Sequence, residues 1–338
     1  MHERFLKILK IIKEEEIKSI GIFTHQNADP DSIACAIGLK DLLNYFNSTL
    51  SINLFAYSIS TLSKNILSIK NELFHATLLT KPLDAIFLCD TNNLIQVGKF
   101  DFEDDFIDKI VLFIIDHHSY HSFTDKARVS VIHNLSSSSE IIAQIFKNLQ
   151  VPMTQEIATI LLIGIIFDSR RFKHISQDTF KIVQFLIENG GNYDEALSIL
   201  HQPMQVSEKI ARIKGATRLK YYKVNNYIFA ISYVSSFESS LARALINLGA
   251  DFALTIAVQQ DYEIRISMRC TSIFSSKNKI NLGEIANKIT NIFEGSGGGH
   301  STAAGINLFP TDKLPKEIDS IIDYFSNLIM DEFKQSQL

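Results

Sequence analysis

The chain has 338 residues, 46% of them hydrophobic, and carries a formal charge of −4. That is enough for two ordinary domains with their own cores, and it excludes the broad cationic stripe that tight binding of a long duplex requires. Three scattered cysteines (Cys35, Cys89 and Cys270) without zinc spacing, no apolar run of membrane-spanning length and a start unlike a secretory signal predict a cytoplasmic protein with no membrane role.

In chain order, Phe5–Glu16 reads as an amphipathic helix and Ile17–Phe23 as a buried strand. Residues Thr24 to Ser32 follow as a turn, and Ile33–Phe46 has helical spacing with Ser32 as its expected N-cap. Strand, turn and helix bring His25, Asp29 and Asp31 together, a set that suits a hard divalent cation. Two carboxylates one residue apart could each hold a different ion, although an Asx-turn with a helix cap accounts for the same residues. Leu50–Ala56 is the next strand, Ile66–Asn71 a short helix, and Ala85–Cys89 a strand ending at Asp90. Ile110–Ile115 is an apolar run that ends in Asp116-His117-His118. Ser138–Leu149 is helical after a serine-rich turn, and Thr154–Phe167 is a long apolar segment ending at Asp168. Alternating strands and helices imply a parallel, doubly wound α/β sheet buried on both faces. Ligands bind such sheets beyond the carboxyl ends of the strands, where each of these acidic residues is expected.

The second half has another grammar. After Gly190-Gly191, a helix-like run over Met204–Tyr222 could tether two domains. Tyr227–Val234 reads as a strand, Phe237–Leu248 as a helix with Gly249 as C-cap, and Phe252–Gln259 with Glu263–Met268 as a strand pair. Leu282–Phe293 is helical and leads into a glycine-rich loop, Gly295–Gly299, whose N–H groups could approach phosphate oxygens, with Ser301–Ala304 opening a helix behind it. Arg269 offers bidentate contacts to phosphate. The expected division is 1–190, a linker helix region over 191–222, and a smaller mixed α/β domain over 223–338. His121, His133 and His174 read as structural.

The ordered set His25-x-x-x-Asp29-x-Asp31, Cys89-Asp90-Thr91, Asp116-His117-His118 and Gly164–Asp168 resembles the DHH phosphoesterase family. Gly295-Ser296-Gly297-Gly298-Gly299-His300 resembles the glycine-rich signature of that family's associated C-terminal domain. Within the family the chain is most similar to the short two-domain nanoRNase/pAp phosphatases (NrnA-like). RecJ-type exonucleases typically carry an acidic residue in place of His25, and family II pyrophosphatases lack this glycine-rich histidine stretch. One departure is Asn27-Ala28-Asp29-Pro30-Asp31, where many members read Asn-Pro-Asp-Gly-Asp. Pro30 removes a backbone donor and fixes φ, while the ligand spacing is kept.

The resemblance implies an active site in the cleft between the two domains. One ion is expected on His25, Asp29 and Asp90, and a second on Asp31, Asp90, His117 and Asp168, with Asp90 as the bridge. Such ligands suit two Mn²⁺, with Mg²⁺ or Co²⁺ as substitutes. Asp116 would fix a histidine tautomer and His118 would face the substrate phosphate. Arg171, Arg269, Gly297, Gly298, Gly299 and His300 would contact substrate. The implied activity is hydrolysis of short RNA, dinucleotides such as pApA, or pAp, by a water activated between the ions. Alternatives are a cyclic-dinucleotide phosphodiesterase, a single-strand-specific exonuclease, or a non-catalytic nucleotide-binding module. No long-duplex partner is expected, and a homodimer is allowed.

Overall fold

Branched and aromatic residues without polar alternation build the first sheet. Its strands are Ser19–Phe23 (β1), Ser51–Phe55 (β2), Phe74–His75 (β3), Ala85–Cys89 (β4), Val111–Asp116 (β5) and Val129–Ile132 (β6). The order is β3-β2-β1-β4-β5-β6 and every pairing is parallel. The computed structural model describes residues 1–335 apart from 79–81, 101, 103–105, 119–123, 202, 259–262, 310–314 and 316. The chain forms two compact units, Met1–Gln202 and Pro203–Leu338.

Side chains of adjacent strand residues point to opposite faces. Ile20, Ile22, Phe87, Cys89, Phe113 and Ile115 therefore share one core, while Phe23, Phe55, Ile86, Leu88, Leu112 and Ile114 share another. The first core is covered by helices His2–Glu14 (α1), Pro30–Phe46 (α2), Ser138–Leu149 (α3) and Gln155–Asp168 (α4), with Thr179–Glu188 (α5) outside them. Register sets Phe23 opposite Leu88 and Cys89 opposite Ile115. Residues following β1, β4 and β5 thus emerge at one edge of the sheet.

Three expectations need correction here. The N-cap of α2 is Asp29, not Ser32: the Asp29 side chain accepts the Ser32 N–H at 3.0 Å, and Pro30 takes the first helical position. Proline is favoured there because that N–H has no helical partner and its φ already suits the helix. The short helix expected at Ile66–Asn71 lies instead at Thr61–Ile66, where the Ser60 hydroxyl caps the Ser63 N–H. Asp168 ends a helix rather than following a strand. Residues Ile157 to Ile166 are buried all round, so no apolar stripe betrays the helical period.

The second unit carries a mixed sheet of Lys220–Val224 (β7), Tyr227–Val234 (β8), Phe252–Val258 (β9), Ile264–Cys270 (β10), Gly295–His300 (β11) and Ala303–Leu308 (β12). Its order is β11-β12-β10-β9-β8-β7, with β8 and β9 parallel and the rest antiparallel. Glu238–Asn247 (α6) packs on one face, and Leu282–Ile292 (α7) and Ile318–Gln335 (α8) supply residues to the core of the other. The run over Met204–Tyr222 is not one helix: it is helical over Val206–Thr217, and Lys220–Val224 pairs with β8 as an edge strand. Residues Tyr193–Ile199 form a helix of the first unit, so the stretch 191–222 is divided between the units.

The glycine-rich segment is also a strand, not a loop, and no helix opens at Ser301–Ala304. Gly295 pairs with Leu308 and His300 with Ala303. A Cβ at Gly299, whose φ is +157°, would come within 2.2 Å of the Ala303 carbonyl oxygen. Glycine is what permits that close pairing. Among the described residues, no helix is long and apolar enough to cross a membrane.

Candidate active site

Asp90 follows β4 directly and adopts φ +58°, a left-handed conformation that L-residues other than Asn and Asp rarely take. Its N–H donates to the Ile115 carbonyl at 2.9 Å and its Oδ1 accepts the Ser138 hydroxyl at 2.8 Å. The carboxylate is 4% exposed. Its two oxygens lie near different histidines. Oδ2 lies 3.9 Å from His25 Nε2, while Oδ1 lies 3.5 Å from His117 Nε2. His25 Nε2 is also 3.6 Å from Asp29 Oδ2, and His117 Nε2 is 3.2 Å from Asp168 Oδ2.

Two ligand groups result. His25, Asp29 and Asp90 offer atoms within 4.8 Å of one another, and so do Asp31, His117 and Asp168. Atoms that share one ion at roughly 2.1 Å lie about 3–3.5 Å apart, near the separations seen here. All six expected metal ligands are thus brought together within the first unit. Asp90, His117 and His118 form a third such group, but the Nδ1 of His118 is engaged by Asp116.

Asp31 is fully buried in the first turn of α2. Its Oδ2 accepts the Ser138 N–H at 2.7 Å and its Oδ1 accepts the Ser139 N–H at 2.9 Å, so the positive end of α3 faces it. Burial, with repulsion from Asp168 and Asp29, nevertheless pushes its pKa up to about 6. Burial likewise holds the Asp90 carboxyl well above its usual range, reinforced by Asp31 and Asp29, and raises Asp168. Burial would raise Asp29 too, but the His25 ring and the Ser32 amide outweigh it and lower its pKa. Among the described residues no lysine or arginine forms an ion pair with these four carboxylates. Crowded carboxylates, two imidazoles and no basic side chain make a donor set that fits divalent cations.

This crowding has a measurable consequence. Because the folded state binds the Asp31 proton more tightly than the unfolded state, at about 6 against 3.8, metal-free stability falls as pH rises through that window. Asp90 and Asp168 act in the same direction. The Tm of chelator-treated protein should therefore drop between about pH 4 and pH 7, and Mn²⁺ should restore it at pH 7. A Tm that rises across that range in chelator would contradict the assignment.

Two histidine orientations are fixed by different partners. His117 Nδ1 is 3.2 Å from the Leu135 carbonyl, which turns Nε2 toward Asp90 and Asp168. Asp116, fully buried, accepts from His118 Nδ1 at 2.8 Å and from the Asn92 amide. Asp116 therefore holds His118 rather than the histidine that faces the carboxylates. Its hydrogen bond is the main cause of a raised His118 pKa, and the His118 side chain remains 55% exposed, with no hydrogen bond to Nε2 among the described residues.

Sequence reasoning missed Ser138, Ser139, Asn92 and Glu140, although four serines opening a helix after a strand were a usable signal. It singled out Arg171 after the fourth motif as a substrate contact. Arg170, not Arg171, lines a cleft with His117 and Asp168. In the second unit, Arg269, Gly297, Gly298 and Gly299 line a cleft of about 570 Å³, while His300 is not among its lining residues. Arg269 Nε is buried without a hydrogen-bond partner among the described residues, and burial together with nearby Arg243 lowers the Arg269 pKa. Among the described residues His133 Nε2 is also buried without a partner and His174 lines the Arg170 cleft, while His121 lies outside them.

Residues 19–165 match the model of the DHH family, N-terminal domain, and residues 239–327 match the DHHA1 domain. An uncharacterised protein of Methanocaldococcus jannaschii is 31% identical over 98% of this chain and 99% of its own length. The chain belongs to the DHH family. An uncharacterised protein of Mycoplasma genitalium is 23% identical over 93% of the chain and 94% of its own length. An exopolyphosphatase-related protein from Bacteroides fragilis shares the fold with a TM-score of 0.63 at 18% identity, covering 100% of this chain and 98% of that one. The DHH domain match contains five of the six candidate ligands, and Asp168 lies just beyond it at the end of α4.

Proposed function

We propose that this DHH-family chain is a two-metal phosphoesterase acting on short phosphorylated nucleotides: oligoribonucleotides of a few residues, dinucleotides such as pApA, or pAp. The observation that carries this reading is the division of Asp90 between two ligand groups, one oxygen toward His25 and the other toward His117. His25, Asp29 and Asp90 would hold one ion, and Asp31, Asp90, His117 and Asp168 the other, with Mn²⁺ the preferred metal and Mg²⁺ or Co²⁺ able to replace it. Two such ions supply an activated water and a Lewis acid for phosphoryl oxygens. Ser138 and the Ser139 amide keep Asp90 and Asp31 fixed before substrate arrives. His118, with Nδ1 tied to Asp116, presents Nε2 to the phosphate and is kept protonated to higher pH than a free histidine.

The second unit would recognise the rest of the substrate. Arg269 has a buried, unpaired donor in a cleft beside exposed glycine backbone, which suits a non-scissile phosphate. The charge of −4 favours a short substrate, since few phosphates need neutralising. Removing charge-assisted hydrogen bonds of about 1.5–3 kcal/mol each should make Arg269→Ala lower kcat/KM on pApA by about ten- to a hundredfold. Mn²⁺ binding by calorimetry should barely change, and slow hydrolysis of bis-p-nitrophenyl phosphate should be spared. Equal losses on both substrates would make Arg269 a structural residue and remove the recognition role.

A further inference from the structure

We propose that the cleft beside the metal centre in the first unit is a subsite for a second phosphate, the one next to the phosphate being cleaved; this rests on the phosphoesterase reading above. The cleft measures about 860 Å³ and lies between residues 134–136, after β6, and residues 170–177, after α4. It opens on His117 and Asp168 and is large enough for a nucleotide rather than a lone ion. Arg170, Lys173 and His174 line it, and the one carboxylate among the lining residues is Asp168 of the metal centre. Among the described residues, neither Arg170 nor Lys173 lies within ion-pair distance of a carboxylate.

The walls are built to hold this arrangement. Arg170, Arg171 and Phe172 take φ of +51°, +56° and +64° in succession, a left-handed turn that L-residues avoid unless their surroundings impose it. Arg171 N–H donates to Ile166 O at 2.8 Å, Phe172 N–H to Ser169 Oγ at 3.0 Å, and His174 N–H to Ser169 O at 3.0 Å. The chain therefore reverses directly after Asp168, with Arg170 lining the cleft. Glu140, fully buried, ties the two walls together. It accepts the Ser136 hydroxyl from one wall, and from the other the Ser176 hydroxyl at 2.7 Å and the Thr179 hydroxyl at 3.1 Å. The buried carboxylate fixes both walls, and the exposed Arg170, whose charge is also felt by Asp168, and Lys173 stand where they can reach an anion beside the reacting phosphate.

Such a phosphate could be a terminal monoester or the next diester of a strand, and three substrates separate the cases. ApA has one phosphate, pApA adds a terminal monoester, and ApApA adds a second diester. With Mn²⁺ present, the double variant Arg170→Gln, Lys173→Gln should lower the kcat/KM ratio of pApA to ApA, or of ApApA to ApA, at least tenfold through KM. Arg170→Lys, with Lys173 intact, should keep most of it. The ratio is independent of the folded fraction, so partial unfolding cannot imitate the result. A fall for pApA alone supports a terminal-phosphate subsite, and a fall for ApApA alone supports a subsite for the next diester. Wild type that cleaves all three substrates, with both ratios unchanged in the variant, overturns the subsite and leaves the phosphoesterase reading standing. Wild type that cleaves none overturns both.

Discussion

Asp90→Asn is expected to cut turnover by a factor on the order of 10²–10³ or more, the scale set by losing one preorganised electrostatic group. The substitution isolates charge from shape. Asparagine tolerates the left-handed backbone that Asp90 adopts at φ +58°, and it has nearly the same volume. One oxygen survives, but an NH₂ group cannot take the other oxygen's place toward either His25 or His117. Mn²⁺ titration should therefore show both ions weakened. Stability in chelator should hold or rise, because a buried carboxylate raised by burial and by Asp31 and Asp29 has been removed. His118→Ala should behave differently, keeping both ions and losing rate, since its Nδ1 belongs to Asp116. Near-normal turnover by Asp90→Asn would contradict the bridging role.

The second large effect is expected at Gly164, inside α4. Helix propensity alone predicts that Gly164→Ala stabilises by about 1 kcal/mol. Packing predicts the reverse. A Cβ there would lie 2.1 Å from Ser139 Oγ, 2.8 Å from Ser139 Cβ and 2.9 Å from Asp31 Oδ1. Overpacking of this kind costs about 1–3 kcal/mol, and the groups that must yield are Asp31 and Ser139, whose N–H holds Asp31, or the helix that carries Asp168. Gly164→Ala should therefore lower Tm and weaken Mn²⁺ binding together, and adding Ser139→Gly should recover part of both. A variant as stable as wild type, with unchanged metal affinity, would mean that α4 has slack at this contact.

Much of the site was legible because its residues follow strands. His25, Asp90 and Asp116–His118 each end an apolar run, and a parallel sheet sends such residues to one edge. What stayed hidden has physical reasons. Asp168 was expected as a ligand, but not the helix that carries it, because a helix buried on every side has no polar face to show its period. The N–H groups of Ser138 and Ser139 that hold Asp31 are backbone, so no side-chain pattern announces them. The glycine-rich strand has no intrinsic β preference and exists through its pairing with Ala303–Leu308. That Arg170 rather than Arg171 lines the cleft could not be read either, because three successive left-handed residues without glycine leave no trace in composition. Asp29 displaced Ser32 as the cap once Pro30 is recognised as a first-turn residue.

Release of AMP from pApA by the purified protein, followed with Mn²⁺, then with excess chelator, then with Mn²⁺ restored, bears most directly on the function proposed for the paired ligand groups. The expected result is turnover that stops on chelation, resumes on metal return, and exceeds the rate on a long single strand. Release indifferent to chelator, or none under any divalent ion, would contradict it.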